Sequence, residues 1–433
     1  MKAYGWFEWK RWMHSKKNVV LLVLLVCVEL LTLRMMMQMD RYTDPVPMTD
    51  PETIWIRPLK AREQLSMLSE QKKQEAYALI EQSEKDMEFL RANLEKADLA
   101  KQHEEWQPFL KASIVNFLML VRLEEISEAT SFHEQDFIHQ KQIEALYRQY
   151  DAPDLGRYAS IANLPMGHSS YPVYEKYVRY FDALVENHLV PASVYDVSAG
   201  TVFLQLARSV LPVAAVLLTG CLFWQTKKER RAESMLLTVP YLRRRLVRYE
   251  SVARAGWIGF WLVVPIALMS VFFGMTQGWS SWHTPVLVFA PGLTSFATPL
   301  AQTQDGMMSI PIGLTILNGD TYVEPAMELM SCAQVTGLAL LLGGLFVLFL
   351  VEYELFLEKV FPTSFLATIV YFISIGLLMA AQGGAWNPMR YMDPVSVLTG
   401  YAGASYGAGL CVLFGYTALF WLLNRWLTKK RVR

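Results

Sequence analysis

Six apolar runs constrain this chain more than any other feature: Val19–Met37, Val202–Trp224, Trp257–Thr276, Cys332–Val351, Phe365–Ala381 and Leu410–Leu427. A run of about 20 apolar residues, wound into a helix, crosses the hydrocarbon core of a bilayer. A helix also satisfies its own backbone there, which an irregular segment does not. Overall balance agrees, with 53% hydrophobic and only 18% charged residues, against about a quarter charged in soluble domains. The fold class that follows is an all-α integral membrane protein with six transmembrane helices.

Lys and Arg orient the spans, because basic loops stay on the cytoplasmic side. Lys2, Lys10, Arg11, Lys16 and Lys17 precede the first span, and residues 225–255 are crowded with Lys and Arg. The tail carries Arg425, Lys429, Lys430, Arg431 and Arg433, whereas no Lys or Arg lies between Trp279 and Ser331. Six spans put all three basic regions, and both termini, in the cytoplasm of a multi-pass cell-membrane protein. The short acidic turn expected around Glu352–Lys359 supports this least. Thr284–Leu300 is apolar but broken by Pro285, Pro291 and Pro299, so it is expected outside or re-entrant. The tail of the first run lacks a small-residue cleavage site and reads as a retained anchor.

The resulting organisation is an interfacial helix over residues 1–18, a first transmembrane helix over 19–39, and an extracellular helical domain over 40–201. Transmembrane helices 2 to 6 follow over 202–433. In the outer segment, Leu65, Leu68, Ala76, Leu79, Met87, Leu90, Leu94 and Ala97 fall at helical spacings. They predict a long helix from Leu59 to Trp106, interrupted at Pro108. Further helical pieces are expected at Phe109–Ile126, Gln135–Tyr150 and Tyr171–Leu189. The domain reads either as a coiled-coil spacer or as a binding surface, given its tyrosines at 147, 150, 158, 171, 174, 177 and 180. Cys27, Cys221, Cys332 and Cys411 all fall in or beside apolar runs, so this segment has no disulfide, which favours a bacterium with a single membrane.

Sites of bond-making chemistry are not evident. There is no phosphate-binding G-x-x-x-x-G-K-[ST] loop, no H-E-x-x-H and no nucleophile elbow, so no enzyme activity, cofactor or metal is expected. His133, Asp136 and His139 drift around a helix and read as surface residues. Nucleic acid is not an expected partner. Charges inside the spans are more telling, because they are costly there: Glu29 and Arg34 in the first, Arg208 in the second. Glu29 and Arg208 lie about 18 and 25 Å from the inner face by residue count, close enough to form an ion pair. Gly403 with Gly407, and Ala404 with Ala408, have the four-residue spacing of close helix packing.

Between the second and third runs, Ala232, Met235, Leu236 and Val239 form one apolar stripe, and Pro240 ends it. Anionic lipid alone would account for the arginines nearby, but not for that stripe. With Lys227-KERRAE-Glu233, Leu236-LTVP-Pro240 and then Arg243, this stretch resembles the cytoplasmic coupling segment of ABC-2-type transporter permeases. The usual Gly-Thr pair before the leucines is missing, and the outer segment is large for that family.

The resemblance implies a permease subunit that forms a translocation pathway for export as a dimer with a second copy or paralogue. It also implies a separate cytoplasmic ABC ATPase, docked on a coupling helix around Glu229, Glu233, Met235, Leu236, Val239 and Pro240. The aromatic, basic start Met1-KAYGWFEWKRWMHSKK suits an interfacial helix, and Trp386-NPMRYMDPVSVLTGY resembles the family's outer re-entrant hairpin. The competing class is a non-transporting membrane sensor, immunity or interaction protein acting through its helical ectodomain.

Overall fold

The computed structural model of the chain describes residues 16–37, 70–128, 140–152, 171–189, 198–222, 240–298, 315–317, 320–322, 327–381, 384–400 and 402–430. In chain order come helices α1 (Lys16–Met37), α2 (Glu70–Gln102), α3 (Trp106–Glu128), α4 (Gln140–Gln149) and α5 (Tyr171–Glu186). Next are α6 (Ala199–Ser209), α7 (Leu211–Leu222), α8 (Pro240–Gln277), β1 (Pro285–Phe289) and α9 (Pro291–Thr294). Three strands follow, β2 (Thr315–Leu317), β3 (Asp320–Tyr322) and β4 (Met327–Ser331). Helices α10 (Cys332–Val360), α11 (Ser364–Ala380), α12 (Pro394–Leu398) and α13 (Tyr406–Lys430) complete the order. They divide into two compact units. One comprises Met1–Arg41, Val194–Thr303 and Ala326–Arg433, and the other Tyr42–Ser193 and Gln304–Pro325.

The first unit carries the membrane character. Among the described residues, four helices are long and apolar enough to cross a bilayer: Lys16–Met35, Glu250–Gln277, Cys332–Val360 and Tyr406–Thr428. A fifth candidate is the pair α6 and α7, bent by 52°. Pro212 supplies a local cause, since it has no N–H for the Arg208 carbonyl and its ring crowds that carbonyl. The shorter α11, also apolar, has 17 residues. The chain is therefore a helical membrane protein.

Local chemistry sets several boundaries. Ser331 and Gln334 form a reciprocal capping box at the start of α10, and Thr363 caps α11. Pro240 opens α8, where its missing N–H costs nothing. The turn expected at Glu352–Lys359 is instead helical: α10 continues to Val360, and the next helix starts only at Ser364. The proline-broken run after Thr284 forms no span. Its β1 pairs antiparallel with β4, from Pro285 opposite Ser331 to Phe289 opposite Met327. The all-α expectation thus acquires two short strand pairs, the second being β2 with β3.

Helix α10 is the centre of this unit. Its Phe349 stacks on Tyr353 within the helix and meets Tyr416 and Phe420 of α13 edge-on or tilted. Tyr371 of α11 donates to the Val216 carbonyl of α7 at 3.2 Å. At one end, Ser270 donates to the Ala199 carbonyl at 2.7 Å, and the Gly200 N–H donates to Ser281 Oγ at 2.9 Å. A Cβ at Gly200 would stand 2.8 Å from the Ser281 carbonyl oxygen, so only glycine allows that approach. The expected pairing of Gly403 and Gly407 on one helix is not formed. Gly403 precedes α13 with φ +58°, and Gly407 lies in its first turn against Ser295.

The second unit is a helical bundle with one small hairpin. The long helix expected to Trp106 breaks earlier, at His103–Glu105, where Glu104 takes φ +57°. Pro108 falls in the first turn of α3, where a missing N–H is tolerated. Asn93 of α2 donates 2.8 Å hydrogen bonds to the Ala112 carbonyl and to Asn116 Oδ1 of α3. These buried amides fix the pairing of the two helices around Leu90, Leu110, Ile114 and Leu118. Phe109 meets Phe181 of α5 edge-on. Tyr150 donates to Asp182 at 2.6 Å.

Candidate functional site

Three features of the first unit converge on helices α8 and α10. The first is a buried clamp of charge. Arg254 of α8 is 2% exposed. Its Nη1 lies 2.8 Å from Glu354 Oε2, and its Nη2 lies 2.8 Å from Glu250 Oε1 and 3.1 Å from Glu358 Oε2. Glu250 is four residues before Arg254, and Glu354 is four before Glu358, so each pair shares one helix face. A guanidinium has a planar fork of five donors and can engage several carboxylates together. One turn back on α10, Glu352 accepts from Asn424 of α13 at 2.8 Å. Together these groups tie the start of the apolar part of α8, Glu250–Gln277, to the last two turns of α10 and of α13.

A second feature joins α6 to the segment before α12. Arg208 Nε of α6 stands 3.5 Å from Asp393 Oδ2. Asp393 also caps α12, accepting the backbone N–H and the hydroxyl of Ser396. Burial pushes the Asp393 carboxyl above its ordinary value, while the Ser396 hydrogen bonds and the Arg208 guanidinium oppose that rise. The connection around α12 is tied down again by Arg390, whose Nη2 donates to the Gly403 carbonyl at 2.6 Å. Tyr391 donates to the Ala385 carbonyl at 2.6 Å.

The third feature is a cavity of about 130 Å³. Its walls come from α6 and α7, α8, α10 and the start of α12. Phe203, Leu262 and Phe346 are typical of the lining, and Thr336 is its one hydroxyl-bearing residue. No ionisable side chain lines it. Such a space accepts apolar matter and rejects ions.

The expected site residues fare differently. Glu229, Glu233, Met235, Leu236 and Val239 lie outside the described residues, as do the interfacial helix of residues 1–15 and His133, Asp136 and His139. Pro240 is the first residue of α8. Arg34 is exposed in the last turn of α1, where its charge suits the helix dipole. Glu29 is fully buried in α1, and among the described residues neither carboxylate oxygen has a hydrogen-bond partner. The anticipated Glu29–Arg208 pair is therefore corrected: Arg208 engages Asp393. Arg254, Glu354, Glu358 and Asn424 were missed altogether. The four-residue spacing of Glu250 with Arg254, and of Glu354 with Glu358, was the signal available.

Comparison of the chain with protein-family models, with curated proteins and with solved structures finds no match.

Proposed function

We propose that this protein is the membrane-spanning permease subunit of an ATP-driven exporter of the ABC-2 type, paired with a second copy or a paralogue. In this reading six spans cross the membrane, residues 40–201 lie outside, and both termini and residues 225–255 face the cytoplasm. Hydrogen bonds within the first unit support that alternation. Lys17 at the start of α1 donates to the Cys221 carbonyl at the end of α7. Arg254 joins the start of the apolar part of α8 to the last two turns of α10, and Asn424 joins α10 to the last two turns of α13. Each contact links helix ends that the scheme assigns to the cytoplasm.

One observation carries the functional reading. The last residue of the Leu236-LTVP-Pro240 motif is also the first residue of α8. About 21 Å further along the axis, the same helix is clamped through Arg254 to α10. A push on residues 225–239 would therefore move α8 and α10 together, and these two helices wall the cavity. ATP-driven closure of a partner ATPase would supply that push, a helix-shift transition of familiar kind.

The test is co-purification with an ABC ATPase, sought first among the products of neighbouring genes. Met235→Asp or Leu236→Asp places a carboxylate in the docking groove, which costs several kcal/mol of association. Binding should collapse while expression and membrane insertion persist. Replacing Arg244 and Arg245 with alanine should do less. If Leu236→Asp retains the ATPase while the arginine changes release it, the segment anchors to lipid and the coupling reading fails.

A further inference from the structure

We infer that the cavity between α6–α7, α8 and α10 is a binding site for one acyl chain of a bilayer phospholipid. The shape points to a chain rather than a compact ligand. Its wall on α10 extends from Thr336 to Val347, about 16 Å of helix at 1.5 Å per residue. That is about half of a 30 Å hydrocarbon core, the depth of one leaflet. Apolar cavities of this size stay dry and take up apolar guests instead of water.

Access is built in. On the rim, Leu340 and Gly344 of α10 are exposed and Gly259 and Val263 of α8 are half-buried. A Cβ added at Gly259 or Gly344 would meet nothing within 4 Å. No described atom thus crowds the rim at these two glycines, which is where a chain would enter sideways from the bilayer.

The second observation concerns polarity. Thr336 is 6% exposed, lines the cavity, and among the described residues its hydroxyl meets no acceptor stronger than the Cys332 thiol. The Cys332 thiol, one turn back, is only a weak acceptor. A buried hydroxyl left unsatisfied is costly, and the ester carbonyl at the head of an acyl chain would satisfy it. An apolar slot with one donor at its end matches that chemistry: a hydrocarbon tail along Phe346 and Val347, with the carbonyl at Thr336. This inference rests on the membrane placement of the helices and not on an ATPase.

The experiment uses the full chain in nanodiscs of phosphatidylcholine in which one acyl chain carries a diazirine. After illumination, adducts are mapped by peptide mass spectrometry. Buried lining residues on α6 and α10, such as Phe203, Ala207 and Val347, should carry them, alongside the lipid-facing surface. Gly259→Leu, or Gly344→Leu if the first fails to fold, should plug the entrance and abolish the buried adducts. Gly376→Leu on α11, also free of neighbours, should change nothing. Thr336→Val should lower buried labelling about fivefold, the worth of one hydrogen bond. Adducts confined to exposed positions such as Leu341 and Ile373, or buried adducts that survive both plugs, would overturn the proposal. ATPase association should survive Gly259→Leu, so loss of the ATPase in the wild type would count against the permease reading alone.

Discussion

Arg254 and Glu354 stand 100 residues apart in sequence, yet their side chains meet at 2.8 Å inside the protein. With Glu250 and Glu358 on the same guanidinium, this contact fixes the start of the apolar part of α8 against the last two turns of α10. Removing the cation leaves three carboxylates facing one another with little access to water. Arg254→Ala is therefore expected to cost about 3–5 kcal/mol, seen as early aggregation in a thermal scan of the detergent-solubilised protein. Arg254→Lys should recover part of the loss, since a single ammonium cannot reproduce the fork. A wild-type melting profile for Arg254→Ala would mean the clamp contributes nothing.

A pair of double-mutant cycles separates the two candidate partners of Arg208. Arg208→Gln with Asp393→Asn, which preserves the cap on α12, should show coupling of about 1 kcal/mol. Arg208→Gln with Glu29→Gln should be additive within about 0.5 kcal/mol. Glu29→Gln alone should be tolerated, because no hydrogen bond to Glu29 is lost. Strong coupling in the second cycle would restore the pairing anticipated between the spans.

Expressed alone, residues 45–198 should be soluble and helical by circular dichroism, and a strand-dominated spectrum would sink the bundle. Within it, Tyr150→Phe removes the 2.6 Å hydrogen bond to Asp182, at about 1 kcal/mol. Burial, and then the bond to Asp182, hold the Tyr150 proton and raise its pKa above the ordinary tyrosine value. The folded form thus keeps that proton when the unfolded form releases it. This contribution is complete below pH about 10 and fades as pH rises toward the folded value. Urea midpoints from pH 8 to 11 should fall less steeply for Tyr150→Phe than for wild type.

Topology is open to direct labelling. In a background lacking Cys27, Cys221, Cys332 and Cys411, cysteines at positions 83 and 309 should react with an impermeant maleimide on intact cells. A cysteine at position 234 should react only after permeabilisation. Protection at position 309 would break the six-span scheme between its third and fourth spans.

The apolar runs were legible because crossing a bilayer is a local property: each helix must satisfy its own backbone and bring its own apolar surface. The starts of α8 and of α11 carry local signals too, Pro240 and Thr363, which act within one turn. The bend between α6 and α7 was written in Pro212 as well, though a hydropathy pattern passes over it. Glu352–Lys359 was misread for the opposite reason. Glu, Tyr and Lys so close together suggest a water-facing turn, and only Arg254 from α8 and Asn424 from α13 let those carboxylates continue as a buried helix. Arg208 posed the same difficulty, since its charge demanded a partner and the chain offered both Glu29 and Asp393. The sequence by itself determined the helices, their apolar faces and the charges that needed answering. Tertiary structure decided which charge answers which and where a cavity is left, because both depend on distances between residues that the chain brings together only when the helices pack.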